Sequence, residues 1–296
     1  MPRTISPTKS TKVNPAAAFK KTIWDHYRLH RRSFPWRERD AQMTDATWVY
    51  RVVISEIMLQ QTQAPRVVEK FNSFMKKFPD FPTLARAPLH KVLAEWQGLG
   101  YNRRGLYLKK MAEIIVEKYS GKMPRTKAEL IELPGIGPHT AGSILAFAFN
   151  IAEPFIETNI RTVYIHFFFK GNKAVPDSAI HELVSSTIDL EQPREWFFAL
   201  MDYGVYLKQT ARQMRTLDPA RYSKHYKKQS TFKGSNRELR AALLKNILKA
   251  PATARKLITE HENETRATPA AILKNIAALE REGFIKNTNG TYSIMV

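Results

Sequence analysis

The sequence predicts an all-α fold with a small C-terminal winged-helix-like α+β domain. Three observations carry this expectation. From Phe19 to about residue 205 apolar residues recur at helical spacing, with scarcely any strand-type alternation. Gly, Pro and Asn cut that pattern into segments of helix length. Residues 235–296 read instead as three helices followed by two short strands joined by Asn289-Gly290, a strong hairpin signal.

In chain order, residues 1–18 form a basic tail, rich in Pro, Ser, Thr and Lys and too poor in apolar residues to fold. The core spans 19–207. A first helix is centred on Ile23, Trp24, Tyr27 and Leu29, and a loop containing Pro35 follows. WVYRVVISEIMLQQ (48–61), the run 62–78, LHKVLAEWQ, GLYLKKMAEIIVEKY and TKAELIEL are five further helical patterns, and residues 138–149 open another after LPGIG. NIRTVYIHFFF allows a buried helix, and its β-branched content also allows a strand. Residues 208–234 are a basic linker. Lys208, Arg212, Arg215, Arg221, Lys224, Lys227, Lys228 and Lys233 face only Asp218, with Tyr222, Tyr226 and Phe232 interleaved. That run is either a solvated linker or an aromatic-bearing DNA contact. In the C-terminal domain, Ser235 with Glu238 has capping-box spacing. Thr268 caps a third helix with Pro269 at its first position, and Gly283 closes it. In a winged helix that third helix enters a major groove or makes a protein contact.

The formal charge is +20, from 47 Lys+Arg against 27 Asp+Glu, which points to a polyanionic partner, most simply nucleic acid. The absence of cysteine excludes disulfides, thiolate zinc sites and any Cys-ligated iron–sulfur cluster. No stretch has the length and apolarity of a membrane span. The expectation is a monomer, cytoplasmic and nucleoid-associated in a prokaryote or nuclear in a eukaryote.

Three local patterns carry chemistry. In Leu133-Pro134-Gly135-Ile136-Gly137-Pro138-His139-Thr140 a helix ends, a two-glycine hairpin follows and a new helix begins. Gly135 and Gly137 allow positive φ and close approach of a phosphate, and the following helix start offers free N–H groups. As a bare pattern it is also an ordinary helix–helix turn. Glu56, in SEIMLQQTQ, is a carboxylate on an otherwise apolar helix. Burying one is costly unless it is paired or functional, and the alternative is a Glu reaching out at the helix edge. Glu157, in FIETNIRTV, reads from its pattern as a helix-start acid favoured by the dipole.

Together these motifs resemble the helix-hairpin-helix DNA glycosylases, and the MutY-type adenine glycosylases in particular, over roughly residues 20–208. The resemblance implies a helix-hairpin-helix glycosylase core in which Glu56 protonates the departing base and Glu157 stands in the place of the family's aspartate. Asn159 matches the MutY Asn. Gln60 and Gln61 meet the DNA, Gln61 filling the gap left in the duplex. Phe34-Pro35-Trp36-Arg37 resembles LPWR, whose Trp and Arg line the base pocket, and WQGLGY resembles the segment whose tyrosine, here Tyr101, wedges into the stack. Gly135, Gly137 and Thr140 would hold the backbone. The resemblance also implies a monovalent cation at the hairpin carbonyls and duplex DNA carrying a mismatched or damaged base as partner.

The chain departs from the family in several places. Lys208 stands where the first cluster cysteine would be, so no 4Fe–4S cofactor is expected. His139 occupies the position that carries a Schiff-base lysine in the lyase branch, which predicts a monofunctional enzyme. Phe198 replaces a Gln or Glu that reads the adenine edge. The expected activity is excision of mispaired adenine, with another mismatched or damaged base, or lesion binding without cleavage, as alternatives.

Overall fold

A computed structural model describes residues 15–172, 174–226, 231–265 and 267–295. Its helices are α1 (Pro15–His30), α2 (Asp45–Leu59), α3 (Ala64–Lys77), α4 (Phe81–Arg86), α5 (Leu89–Trp96), α6 (Arg103–Tyr119), α7 (Lys127–Glu132), α8 (Pro138–Phe149), α9 (Thr158–Phe168), α10 (Asp177–Thr187), α11 (Pro193–Gln213), α12 (Asn236–Lys249), α13 (Ala254–Thr265) and α14 (Pro269–Arg281). The strands are β1 (Ala252–Thr253), β2 (Ile285–Thr288) and β3 (Thr291–Ile294), and a 3₁₀ turn covers Pro219–Tyr222. The ambiguous NIRTVYIHFFF segment is helical, as α9. The expected tail ends sooner than residue 18, because Pro15 opens α1. Residues 1–14 of that tail, and Lys227 and Lys228 of the basic run, lie outside the described residues. The first six residues of the expected linker are the last turns of α11, which runs to Gln213. No helix among the described residues is long and apolar enough to cross a membrane.

The chain forms two compact units, each assembled from two stretches. One comprises Met1–Arg32 and Asn150–Tyr226. In it Phe19 of α1 is buried amid the rings of Tyr164, Phe167, Phe168 and Trp196, with centroids 5.0–5.8 Å apart. Leu29, expected in the same apolar face, is exposed. The chain leaving α1 is tied down by Arg32, whose N–H and Nε donate to the buried Asp202 carboxylate at 3.0 and 2.7 Å. Helix α11 packs along α9.

The other unit comprises Ser33–Phe149 and Lys227–Val296. Helix α2 is its spine. Thr44 caps it by accepting from Thr47 N–H, and Trp48, Tyr50, Val53, Ile54 and Ile57 are buried. Residues 235–295 adopt the winged-helix arrangement, with antiparallel strands in the order β1-β3-β2. Asn289 and Gly290 have φ of 51° and 81°, the two left-handed positions of a tight hairpin. Ser235 accepts from Glu238 N–H, and Glu238 reaches back to Gly234 N–H at 2.6 Å rather than to Ser235. Strand β1 was not foreseen in the sequence. Leu239, Leu243, Ile247, Ile272, Ile276 and Phe284 form one continuous core with Leu89, Leu93 and Leu106 of α5 and α6. Each such fully buried aliphatic side chain contributes roughly 2 kcal/mol of burial, so the C-terminal helices share a core with the helices that precede them.

Candidate active site

Glu56 lies near the C-terminal end of α2, half-buried between Ser55 and Ile57, which are 1% and 2% exposed. The helix ends at Leu59, where Gln60 leaves helical geometry (φ −55°, ψ 112°), and Gln61 follows in a left-handed conformation, φ 56°. Gln60 faces the hairpin. Its Nε2 donates to Gly135 O and Thr140 Oγ1, both at 3.1 Å. The carboxylate-bearing helix and the glycine hairpin are therefore one mechanical piece.

Helix α7 ends at Leu133, whose carbonyl accepts from Ile136 N–H at 3.1 Å. Gly135 is at φ 83°, and a Cβ there would lie 3.2 Å from Tyr107 Cβ, so this glycine is required twice over. Gly137 corrects the expectation of two positive-φ glycines. It is not left-handed, and an added Cβ would meet nothing within 4 Å. Its bare backbone faces open space beside the start of α8, the approach an anion would use. His139 is exposed in the first turn of α8 and Thr140 is half-buried.

Tyr101 sits at φ 48° in the turn before α6. What holds that turn is Arg104, a residue that sequence reasoning missed. Its Nη1 donates to the carbonyls of Ile57, Met58 and Gln60 at 2.6–2.9 Å. Its Nη2 donates to Thr62 Oγ1 and the carbonyls of Leu99 and Gly100 at 2.9–3.2 Å. One guanidinium thus joins the Glu56–Gln61 helix end to the Tyr101 turn. Burial lowers its pKa to about 10, where it is still charged at neutral pH. A cavity of about 1000 Å³ opens beside this junction, lined by Gln60, Gln61, Tyr101, Gly135 and, from α12, Arg237 and Arg240. Trp36 and Arg37 are buried, 4% and 6% exposed. Trp36 stacks on Phe34 and meets Phe71 edge-on, so within this unit it is packing.

In the other unit, Glu157 is the N-cap of α9. Its Oε1 accepts from Asn159 N–H and Ile160 N–H at 2.6 and 3.0 Å, and Oε2 accepts from Asn159 Nδ2 at 3.3 Å. The helix-start geometry and the candidate catalytic role fall on the same side chain. Asn159 Oδ1 accepts from Lys208 Nζ at 2.7 Å. Helix α11 comes this close because of Gly204, where a Cβ would lie 2.5 Å from Asn159 O. Burial lowers the Lys208 pKa, and the charges of Glu157 and Asp218 oppose that shift. Phe198 is buried in α11, 3% exposed. Among the described residues no cluster of His, Asp and Glu could hold a metal ion, and a thiolate-bound cluster has no cysteine to ligate it.

The family model of the helix-hairpin-helix (HhH-GPD) superfamily of base excision DNA repair proteins matches residues 54–186, from the Ser55-Glu56 end of α2 through the hairpin to α10. Over that stretch the chain is similar to that superfamily. Among HhH-GPD relatives, the adenine DNA glycosylase of Buchnera aphidicola (subsp. Baizongia pistaciae) is 35% identical over 192 residues, 64% of this chain and 52% of that protein. The thymine/uracil-DNA glycosylase of Methanothermobacter thermautotrophicus is 27% identical over 64% of this chain and 84% of that protein. This chain spans about half the length of the curated adenine glycosylase it matches. A thermostable thymine-DNA glycosylase structure superposes with a TM-score of 0.56 at 24% identity, covering 66% of this chain and 88% of the other, which shows the shared HhH-GPD fold.

Proposed function

We propose that the protein is a monofunctional DNA N-glycosylase that excises mispaired adenine from duplex DNA. The observation that carries this reading is the double hydrogen bond from Gln60 to Gly135 and Thr140, which fixes a half-buried glutamate relative to a phosphate-binding hairpin. In the proposed reaction the hairpin and basic surface grip the backbone and the target nucleotide leaves the stack, with Gln61 and Tyr101 entering the space. Glu56 donates a proton to the departing base as the N-glycosidic bond breaks. Glu157 stabilises the sugar cation, and water adds at the sugar carbon to leave an abasic site and a free base. His139 cannot form a stable imine with the sugar, so no strand cleavage accompanies excision. The hairpin carbonyls of Leu133 and Gly135 each accept one internal bond and keep one lone pair, which suits a monovalent cation that would add positive charge beside the phosphate.

A second reading is favoured by Phe198 and by the thymine/uracil-DNA glycosylase of which this chain covers 84%. An apolar ring at that position cannot hydrogen-bond an adenine edge, which points to another mismatched base. Duplexes each bearing one mismatch or lesion separate the two. Adenine release, lost in Glu56→Gln and Glu157→Gln, is the expected result. Release of a different base alone overturns the adenine assignment, and binding without any release makes this a lesion-binding protein.

A further inference from the structure

Beyond α11 the chain turns sharply. Arg215 is left-handed, φ 54°, a conformation that L side chains rarely adopt. Thr216 N–H closes the turn onto Ala211 O at 2.9 Å. Asp218 caps the 3₁₀ turn by accepting from Ala220 N–H at 2.8 Å. Val175 then pins the segment from both sides, donating to Tyr222 O at 2.9 Å and accepting from Lys224 N–H at 3.0 Å. The result is a cleft of about 460 Å³ with fixed walls. Lys208, Arg212, Arg215 and Arg221 line it, with Asp218 as the acid. The three arginines are exposed, and among the described residues none of them is in an ion pair. Met214 and Leu217, 70% and 57% exposed, stand beside them in the same loop.

Mutually repelling cations held around a cleft are unfavourable until an anion joins them. Arginine forks match phosphate oxygens, and exposed apolar side chains beside them match deoxyribose. We infer that this cleft is a phosphodiester-binding site in which Arg212, Arg215 and Arg221 hold one DNA phosphate and Lys208 links it to the Glu157–Asn159 start of α9. The role of Glu157 in this statement rests on the glycosylase reading; the phosphate site does not. Lys208 is a positioning residue here. Its ammonium reaches Asn159 Oδ1, and Asn159 in turn donates to both Glu157 oxygens. A phosphate in the cleft adds negative charge next to that ammonium and keeps it protonated in its partly buried setting, consistent with a pKa that burial depresses. Backbone capture and placement of the carboxylate thereby become one event.

The test uses the full chain and a duplex containing a non-cleavable abasic-site analogue, with Kd measured across a salt series. The Arg212→Ser/Arg215→Ser/Arg221→Ser variant changes exposed residues. It is expected to weaken binding about tenfold, and to reduce the slope of log Kd against log salt by about 0.9 for one lost phosphate. On cleavable DNA at saturation its single-turnover rate also falls, because no phosphate then sits beside the Lys208 ammonium. Lys208→Met is expected to lower the saturated rate about tenfold or more with a small effect on Kd, and Lys208→Arg to recover part of it. An unchanged salt slope in the triple variant overturns the phosphate site. An unchanged saturated rate in Lys208→Met, with a melting temperature like the parent's, overturns the link to Glu157. A parent that releases no base yet loses salt slope in the triple variant would refute the glycosylase reading while leaving the phosphate site standing.

Discussion

The Arg237 guanidinium lies 5.4 Å from the centre of the Tyr101 ring and donates to its hydroxyl at 2.8 Å. Arg237 belongs to the first helix of the winged-helix domain and Tyr101 to the turn that carries the candidate wedge. The C-terminal helices therefore meet that turn through α12. Removing Arg237 deletes a charge-assisted hydrogen bond and a cation–π contact, together worth about 2 kcal/mol. Arg237→Ala is expected to reduce the flipped-out fraction of the target base, read as a smaller rise in 2-aminopurine fluorescence beside the lesion. An unchanged rise would show that Tyr101 needs no help from α12.

Arg104 presents a sharper case. Replacing it with Lys keeps the charge but loses the fork that reaches five carbonyls, those of Ile57, Met58, Gln60, Leu99 and Gly100. The carbonyls of Leu99 and Gly100 keep Thr62 Oγ1 and Trp96 Nε1 as donors, but those of Ile57 and Met58 lose theirs, so Arg104→Lys is expected to destabilise the protein by about 3 kcal/mol. Urea unfolding measures this. A loss below about 1 kcal/mol would mean that the two turns hold themselves.

Gly204→Ala tests the approach of α11 to α9. The new methyl would lie 2.5 Å from Asn159 O and 2.6 Å from Asn159 Cβ, so the helices must separate. The expected cost is about 2 kcal/mol or more of stability, with base release slowed as Asn159 and Glu157 shift. Full activity in Gly204→Ala would remove the case that this close packing positions the carboxylate.

Acid should loosen the unit that holds α1 and α11. His26 is packed against the rings of His30, Tyr203 and Tyr206. Desolvation, then the charge of His30, lower its pKa, with Asp202 opposing. A base whose folded pKa lies below its unfolded value binds its proton more readily in the unfolded chain, so stability falls as pH drops below the unfolded value of about 6.5. Chemical denaturation at pH 8 and pH 5 should show this fall, and His26→Phe should reduce it. An equal fall in the variant would assign the effect to other groups, among them His166, whose pKa burial also lowers.

Local signals were the legible ones. Ser235, Thr268, Pro269, Gly283 and Asn289-Gly290 each specify a cap or turn within a few residues, and each occupies that place. The candidate residues Glu56, Gln60 and Gly135 could be named from their motifs, but the bond that joins Gln60 to Gly135 spans 75 positions and has no sequence signature. Lys208 and Asn159 meet across 49 positions for the same reason. Arg104 follows Arg103 in a polar run and looks like a surface cation; only the carbonyls converging on it show otherwise. Strand β1 is two residues long, below what any periodicity can register, and exists because Ala252 and Thr253 pair with Tyr292 and Thr291. Gly137 shows the limit of composition, since a glycine reveals permission for positive φ and not its use.

The shared core of the winged-helix domain with α5 and α6 has a consequence for synthesis. Leu89, Leu93 and Leu106 leave the ribosome well over a hundred residues before Leu243 and Ile276, their eventual companions. Through most of translation that greasy patch is bare, and a transcript ending early would yield a sticky fragment rather than a smaller folded protein. The last helices to be made are the ones that render the first ones safe.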